Sequence, residues 1–198
     1  MGSKERIQRQ KEDTRKGILA AALQIVKQEG WTALSMRKIA DVIEYTAPII
    51  YEYFPNKEGI LLELTRQGYI SLGLKVKEAR DSKIDPEEQL EAMWLAYWDF
   101  AFEEKEYYQL MYGVQVNCCE MYKTMPEAEY TTDLFYDAIE KLLKEPISED
   151  ASCLKYYTFW SLIHGLVSIN LVQKGANDDI NQQILRSAIK AIIKTIND

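Results

Sequence analysis

The fold is decided by the stretch from Leu34 to Phe54, which reads LSMRKIADVIEYTAPIIYEYF and has the pattern of two very short helices joined by a tight turn. Ser35 is a typical N-cap residue, and apolar residues follow it with the period of a helix. Thr46 caps the second helix, and Pro48 lies in its first turn, where a missing backbone N–H is tolerated. This pattern indicates a helix-turn-helix, whose second helix enters the major groove of DNA.

The sequence around this motif resembles the TetR/AcrR family of bacterial repressors over residues 12–62 without a gap. The matching features are Ile39-Ala40, the segment Thr46 to Phe54, Pro55-Asn56-Lys57-Glu58 and, upstream, Thr14-Arg15, Ile18, Ala21-Ala22, Ile25 and Gly30. The resemblance implies an all-α protein, with an N-terminal three-helix helix-turn-helix DNA-binding domain and a larger C-terminal helical bundle domain.

Glu44 departs from the family pattern, which usually has a small residue, often glycine, in the turn. Turns between such helices often need a left-handed backbone, which costs a residue with a side chain about 1 kcal/mol or more. A carboxylate at this position would also face DNA phosphates unfavourably. We therefore predict that Glu44→Gly tightens DNA binding.

The formal net charge of −7 is distributed unevenly. Residues 1–56 hold nine Lys and Arg against seven Asp and Glu, and the rest of the chain holds fifteen against twenty-four. A mildly basic head on an acidic body is compatible with DNA binding, because phosphate contacts are local. Ordinary variation in the charge of helical surfaces is the alternative interpretation.

Composition indicates an ordinary globular protein of 198 residues. The N-terminus is polar throughout, and the most apolar run, from Leu162 to Val172, is too short to span a bilayer. The three cysteines, two of them adjacent at Cys118 and Cys119, give no disulfide framework. We therefore expect a cytoplasmic protein with no membrane partner.

Two domains are predicted, a helix-turn-helix domain over residues 1–56 and a ligand-binding and dimerisation domain over 57–198. Within the first, residues 1–11 are expected to form a polar arm that is poorly ordered without DNA. The first helix is expected from about Asp13 to Glu29, stopped by Gly30 and followed by a packed Trp31.

The rest of the chain has the pattern of further helices. They are predicted from Asn56-Lys57 to about Arg80, from Asp85-Pro86 onward, from Glu103 to Tyr112, from Glu127 to Lys144, from Ser148 to about Lys174 and from Asp178 to Ile196. Residues 114–126 are the least regular part. The last two helices carry apolar residues over a wider surface than packing within one chain would cover. This favours a homodimer in which the two helices of each copy form a four-helix bundle.

DNA reading in such a head falls to the exposed start of the second helix, with phosphate contacts around it. The residues predicted at the groove floor, where small apolar groups suit thymine methyls, are Thr46, Ala47, Pro48 and Ile49. The predicted phosphate contacts are Tyr51, Tyr53, Lys57, Thr32 and Ser35, and Arg37 is predicted at a phosphate or a guanine edge. For Tyr53, core packing is an equal alternative.

Aromatic residues at helical spacing in the body are candidates for a cavity that binds a small apolar or aromatic effector. They are Trp94, Tyr97, Trp98, Met111, Tyr112, Phe135, Tyr136, Tyr157, Trp160 and His164. For any single residue, ordinary core packing is the better explanation. However, Trp and Tyr carry polar groups that need hydrogen-bond partners, so a core rich in them seldom packs without a cavity for water or a ligand. In addition, Trp160-Ser161-Leu162-Ile163-His164-Gly165-Leu166 resembles the Trp…His-Gly signature of one C-terminal subclass of the TetR family.

Catalytic residues, a metal and a cofactor are not expected. The sequence has one histidine, no Glu-x-x-His, no glycine-rich phosphate loop and no nucleophile elbow. No basic residue is adjacent to Cys118 and Cys119 in sequence to lower a thiol pKa.

The sequence therefore predicts a ligand-responsive transcriptional regulator, most simply a repressor. It is expected to bind a palindromic operator of double-stranded DNA as a homodimer and to be released by a small effector. One alternative is an acidic helical dimer that binds a small molecule or protein and has a degenerate head; a helical enzyme is a further one. The effector, the operator, the regulated genes and the choice between repression and activation are left open.

Overall fold

The computed structural model describes residues 2–112, 125–173 and 175–197. Over these ranges the chain forms nine α-helices and a short 3-10 helix, and none of the described residues lies in a strand. The helices are α1 (Ser3–Glu29), α2 (Met36–Val42), α3 (Ala47–Tyr53), α4 (Lys57–Asp81), α5 (Pro86–Glu103), α6 (Lys105–Met111), α7 (Pro126–Glu140), α8 (Glu149–Leu171) and α9 (Asp178–Lys194), with the 3-10 helix at Trp31–Ala33. The all-α prediction is confirmed.

The chain divides into two compact units. Of the described residues, the first unit holds 2–68 and 106–112, and the second holds 69–105, 125–173 and 175–197. Helix α4 therefore contributes residues to both units. The boundary predicted after residue 56 stays a prediction.

The prediction that the first helix begins near Asp13 is wrong, because α1 begins at Ser3 and includes most of the predicted arm. The first turn is closed by Glu5, whose carboxylate accepts the backbone N–H of Gly2 at 3.0 Å. The following residues are mostly Lys, Glu, Arg and Gln, which have high helix propensity, so this stretch is helical although it remains exposed.

The predicted end of α1 is confirmed. Gly30 has a φ of 81°, and its N–H donates to the carbonyl oxygen of Val26 at 2.8 Å. Trp31 follows and is buried, as predicted. Its indole N–H has no hydrogen-bond partner among the described residues.

The first unit is built on a cluster that we call the head core. It combines buried side chains of α1, the 3-10 helix, α2, α3 and the start of α4 with Leu110 of α6. Most members are Ile, Leu, Val or Ala, and the aromatic members are Trp31 and Phe54. Farther along α4, Gly68 faces Met111, since a Cβ atom at residue 68 would lie 2.6 Å from the Met111 sulfur.

The second unit is built on large aromatic side chains, which we call the aromatic core. Helix α5 begins as predicted, because the Asp85 carboxylate accepts the N–H groups of Glu87 and Glu88 and Pro86 occupies the first position. The indole of Trp94 stacks on Phe135 at 4.0 Å and on Phe159 at 5.6 Å between ring centroids. All three are buried.

Helix α7 ends at Glu140 rather than at Lys144. After it, the backbone N–H of Lys144 donates to the side-chain oxygen of Asn197 at 2.9 Å, and the Asn197 amide donates to the carbonyl of Leu142 at 3.0 Å. The turn after α7 is thus held by a residue far away in the sequence. The predicted irregular segment lies outside the described residues except for Met125 and Pro126.

Helices α8 and α9 are capped by Ser148 and Asn177. Helix α8 ends at Leu171, three residues before the predicted end at Lys174, which lies outside the described residues. The two helices are joined by a partly buried amide pair, in which the amide of buried Asn181 donates to the side-chain oxygen of Asn170 at 2.7 Å. None of the helices in the described ranges combines the length and the apolar character needed to cross a bilayer.

Candidate nucleic-acid interface

Helices α2 and α3 form the predicted helix-turn-helix. The hydroxyl of Ser35 accepts the N–H of Lys38 at 3.2 Å and thereby caps α2, as predicted. Helix α2 buries Met36, Ile39 and Ala40, and α3 buries Ile50 in the same head core. The orientation of α3 is therefore fixed by apolar packing along one side, which leaves its other side for a ligand.

The turn between the two helices has the left-handed residue that its tightness predicts. Glu44 has a φ of 58° and an exposed side chain. The chain reverses through hydrogen bonds from the N–H of Glu44 to the carbonyl of Asp41 at 3.4 Å and from the N–H of Tyr45 to that of Ala40 at 2.9 Å. A glycine would adopt this conformation without the steric cost that Glu44 carries.

Thr46 stands at the N-cap of α3 with an extended backbone, but its side chain makes no capping hydrogen bond. It is exposed, as is Pro48, while Ala47 and Ile49 are half-buried. All four residues predicted at the groove floor thus lie at the start of α3, and the Thr46 hydroxyl is not occupied by capping.

The two tyrosines of α3 differ in their surroundings. Tyr51 is 52 % exposed, whereas Tyr53 is half-buried and packs against the head core. This difference supports a surface contact for Tyr51. For Tyr53 it supports the core-packing alternative more than the phosphate contact.

The other predicted contact residues surround the motif. Thr32, Ser35 and Arg37 are exposed. Lys57 is half-buried, and its ammonium donates to the carbonyl oxygen of Trp31 at 3.2 Å, which holds the side chain beside the end of the 3-10 helix. An ammonium has further donors, so this hydrogen bond leaves Lys57 able to contact a phosphate.

The charge of this surface is mixed. Lys38 is paired with Glu29, and the carboxylates of Asp41, Glu44 and Glu52 are exposed. Sequence reasoning missed the basic residues of the ordered start of α1, because it treated residues 1–11 as an arm. The high helix propensity of residues 4–11 was the available signal that they belong to α1.

A partly buried ion pair that supports the motif was also missed. The Arg15 guanidinium pairs with Glu63 at 2.9 Å and lies over the Phe54 ring at 4.9 Å from its centroid. This contact joins α1 to the residues just after α3 and to α4. In the sequence, Thr14-Arg15 were noted only as part of the resemblance to the family. The pairing of Arg15 with Glu63 could not be inferred there, because the two residues meet only in the folded chain.

The predicted effector-binding residues fall into separate groups. Trp94, Trp98 and Phe135 are buried in the second unit. Tyr157, Trp160 and His164 form a row along α8, with Tyr157 and Trp160 ring centroids 5.9 Å apart and those of Trp160 and His164 4.7 Å apart. Met111 and Tyr112 belong to the first unit.

Two groups in this predicted set have unusual environments. The indole N–H of Trp94 has no hydrogen-bond partner among the described residues, although Trp94 is fully buried. Burial lowers the pKa of His164 below its ordinary value, so the neutral imidazole is favoured. Phe159, which stacks on Trp94, was missed because it was not separated from the surrounding apolar sequence of α8.

Comparison with known proteins agrees with this arrangement. Residues 18–64 match the family described as "Bacterial regulatory proteins, tetR family". Residues 90–192 match a family described as "Tetracyclin repressor-like, C-terminal domain". Together the two matches cover the helix-turn-helix and most of the second unit, while the Trp…His-Gly subclass stays a prediction.

Relatives and solved structures give the same result. The chain is 25 % identical over 171 residues to the HTH-type transcriptional activator FasR of Mycolicibacterium smegmatis, covering 86 % of this chain and 75 % of FasR. It is 26 % identical over 102 residues to the HTH-type transcriptional repressor NicS of Pseudomonas putida, covering 52 % of this chain and 48 % of NicS.

Among solved structures, the TetR-family transcriptional repressor FadR of Thermus thermophilus, in complex with lauroyl-CoA, superposes with a TM-score of 0.61 at 16 % identity, covering 92 % of each chain. This likeness concerns the fold. With the two family matches and the helix-turn-helix geometry, the chain belongs to the TetR family of DNA-binding transcriptional regulators.

Proposed function

We propose that the protein is a homodimeric, effector-responsive repressor that binds a palindromic operator through α3. The observation that carries this proposal is the arrangement of α3, which is anchored by buried Ile50 and presents Thr46, Pro48 and Tyr51 at its surface. We keep residues 1–56 as the DNA-binding domain and 57–198 as the ligand-binding and dimerisation domain.

DNA reading in this proposal relies on small apolar contacts. Thr46, Ala47, Pro48 and Ile49 supply methyl and ring carbons suited to thymine methyl groups, and few strong hydrogen-bonding groups accompany them. Phosphate contacts from Tyr51 and its neighbours then position α3. We expect modest affinity per half-site and a contribution from DNA shape.

The homodimer is proposed to form through α8 and α9, which carry exposed apolar residues at helical spacing. These residues are Leu154, Tyr157, Leu162 and Ile169 on α8, Val172 just after it, and Ile180 and Ile184 on α9. Gly165 lies within the α8 stripe, and a Cβ atom there would have no heavy atom of the described chain within 4 Å. A close-packed helix of a second copy gives a reason for a glycine that the described chain itself does not require.

The effector is proposed to bind in the second unit near the aromatic core. The unpartnered N–H of buried Trp94 supports this, because a buried donor without an acceptor is costly unless a ligand or water completes it. The crystallised relative FadR binds lauroyl-CoA, which is consistent with an apolar effector for this chain.

Release from DNA follows from linkage. The effector must bind the DNA-incompetent form more tightly than the DNA-bound form, and it can weaken operator binding by no more than that difference. We propose that it changes the separation of the two heads, which must fit grooves about one helical turn (~34 Å) or a multiple apart. We favour repression over activation, although relatives of both kinds match the chain.

A degenerate head is the second candidate, and a specific observation favours it. Asp41, Glu44 and Glu52 expose three carboxylates around α2 and α3, where phosphates would approach. In that case the chain would be a helical dimer that binds a small molecule or a protein without binding DNA.

Selection of bound duplexes from a random DNA pool, followed by sequencing, tests the proposal. Enrichment of an inverted repeat would support both the operator and the dimer, and its spacing would give the distance between the heads. A specific duplex should also lose affinity steeply as salt rises. Failure to enrich any sequence at low salt would favour the degenerate head.

A further inference from the structure

A groove of about 870 Å³ lies between α7 and the start of α8 in the second unit. This volume is within the range of small-molecule sites, about 300–1,000 Å³. Its lining residues are Tyr130, Asp133, Leu134, Tyr136, Asp137, Glu140, Ile147, Ser148, Glu149, Asp150, Ser152 and Cys153. Apart from Tyr136, none of them belongs to the predicted effector-binding set.

The lining of this groove is acidic and contains no Lys, Arg or His. Asp133, Asp137 and Glu140 follow one another along one side of α7, and Glu149 and Asp150 come from the first turn of α8. None of these five carboxylates takes part in an ion pair within the described part of the chain. No Lys, Arg or His side chain of the described residues therefore neutralises them by direct contact.

A structural role explains only part of this cluster. Glu149 and Asp150 are favoured by the helix dipole, because they stand at the N-terminus of α8. Glu140 is the last residue of α7, where the dipole disfavours a negative charge, and Asp133 and Asp137 repel each other one turn apart. The three acids of α7 thus lower the stability of their own helix.

Apolar and aromatic groups accompany the carboxylates. Leu134 and Ile147 line the groove together with the rings of Tyr130 and Tyr136. Aromatic faces attract cations, and aliphatic side chains accept the apolar part of a ligand. The lining therefore combines negative charge with surface for an organic group.

Ser152 is a second, independent sign of a ligand. Its residue surface is 8 % exposed, it lines the groove, and its hydroxyl has no hydrogen-bond partner among the described residues. A buried hydroxyl in a helix normally donates to a carbonyl or contacts water, and an unsatisfied one is costly. Because the hydroxyl oxygen has less than 1 Å² of accessible surface, a hydrogen-bonding group of a ligand would complete it after the Ser152 side chain turns toward the groove.

A metal ion is not the occupant that the geometry favours, because no group of three or more His, Cys, Asp or Glu within the described ranges is arranged to hold one. We propose that the groove binds an organic cation, a primary ammonium attached to an aromatic or aliphatic body. The ammonium is held by the α7 carboxylates and donates to the Ser152 hydroxyl oxygen, and the body packs on Tyr130, Leu134 and Ile147. A role for this cation as a second effector, beside the apolar one proposed at the aromatic core, rests on the proposed function, whereas binding itself does not.

The first experiment titrates the purified full chain, without DNA, with 2-phenylethylammonium. Two compounds of similar size serve as comparisons, neutral 2-phenylethanol and anionic 3-phenylpropionate. We expect the cation to bind at least about tenfold more tightly than either, as measured by calorimetry at low salt. Equal binding of the three compounds would overturn the proposal.

The second experiment locates the cation. The double variant Asp133→Asn with Asp137→Asn should weaken binding by about tenfold, since each exposed ion pair changes an equilibrium constant by up to about fivefold. The matched control, Asp178→Asn with Asp179→Asn, removes the same charge from the first turn of α9 outside the groove and should leave affinity unchanged. Equal losses in both variants would show general surface attraction and contradict the site.

The third experiment concerns the hydroxyl. Ser152→Ala should weaken 2-phenylethylammonium several-fold but leave (2-phenylethyl)trimethylammonium unchanged, because the methylated cation has no N–H to donate. Equal changes for the two cations would contradict the hydrogen bond. Thermal unfolding of each variant checks that the fold is retained.

Operator binding separates this inference from the proposed function. If the cation is the effector, saturating 2-phenylethylammonium should lower affinity for the selected duplex, and the Asp133→Asn, Asp137→Asn variant should lose this response. Cation binding with unchanged operator affinity would contradict the effector role. Failure to bind DNA, with cation binding intact, would contradict only the regulator proposal.

Discussion

The head core and the aromatic core are built from different side chains. The head core is mostly aliphatic, whereas the aromatic core stacks Trp94 on two phenylalanines. Four polar side chains are buried among the described residues, and three of them, Thr131, Ser152 and Asn181, lie in the second unit. The fourth, Thr65, donates to the Leu61 carbonyl of its own helix at 2.9 Å.

This difference corresponds to two different tasks. Branched aliphatic side chains fill space in few rotamers, so the head core holds α2 and α3 in a fixed relation. Buried polar side chains, which lie mostly in the second unit, require particular hydrogen-bond partners, and a ligand can supply such a partner. This difference fits the proposed function, in which the head holds α3 against DNA and the second unit binds a small molecule.

The largest expected effect tests the head core. Ile50→Ala should lower the free energy of unfolding by about 2–5 kcal/mol, because it leaves a cavity under α3. DNA binding should be lost with it. Ile49→Ala is the control on the same helix, since Ile49 is half-buried and partly solvated. Equal losses in urea unfolding for the two variants would show that α3 is not anchored on one side.

The next effect tests the polar side of the second unit. Asn181→Ala should lower the free energy of unfolding by about 1–3 kcal/mol, because the amide of Asn170 loses its buried partner. Asn170→Ala and the double variant complete a double-mutant cycle, measured by thermal unfolding. The two losses should not add, because each variant breaks the same pair. Additive losses would mean that the amide pair contributes no coupling.

Glu44 and Gln173 provide a matched pair, since both have a left-handed backbone, with φ of 58° and 57°. Glycine at either site should relieve up to about 1 kcal/mol of backbone strain. Only Glu44→Gly should also tighten DNA binding, because only it removes a carboxylate from the proposed interface. Fluorescence anisotropy at fixed salt measures this difference. Equal DNA affinity of the two variants would remove the argument from repulsion.

The two tyrosines of α3 give a smaller effect. Tyr51→Phe should weaken binding to all duplexes by a similar factor of about ten or less, as expected for a lost phosphate hydrogen bond. Tyr53→Phe is the control and should change DNA affinity less, because Tyr53 packs against the head core. A changed sequence preference for Tyr51→Phe would indicate that it reads a base.

The smallest effect is the pH dependence from His164, the single histidine of the chain. Burial lowers its pKa below the ordinary value of 6.5, so the unfolded chain binds a proton more readily. The stability that this contributes is present above pH 6.5 and is lost as pH falls toward the lower pKa of the folded protein. Unfolding free energies between pH 8 and pH 5 should therefore fall less steeply for His164→Asn. An unchanged slope would contradict the assignment.

Much of the fold was predictable because its signals are local. Ser35, Asp85 and Ser148 accept backbone N–H groups at the helix starts that the sequence indicated. The left-handed backbone at Glu44 was also predicted, because turns between such helices often need it and the family usually has a small residue there. Caps and turns are determined by a few neighbouring residues, so they can be inferred without the tertiary structure.

Features that the sequence did not predict either depend on residues far apart in the chain or lack a periodic pattern of apolar residues. The start of α1 has little apolar periodicity, so a prediction based on burial did not find it, although its residues favour helix. The turn after α7 is held by Asn197, which no local pattern shows. The acidic groove was missed because its carboxylates come from two helices and meet only in the folded chain.

Gly68 has a consequence for how this chain can change over evolution. A methyl group at residue 68 would lie 2.6 Å from the Met111 sulfur and 3.2 Å from the Cβ of Tyr107. A larger residue at 68 therefore requires the flexible Met111 side chain to move or to be replaced by a shorter one, and it also tightens the contact with Tyr107. Among homologues, we expect these two positions to covary, with glycine at 68 wherever a long side chain occupies 111.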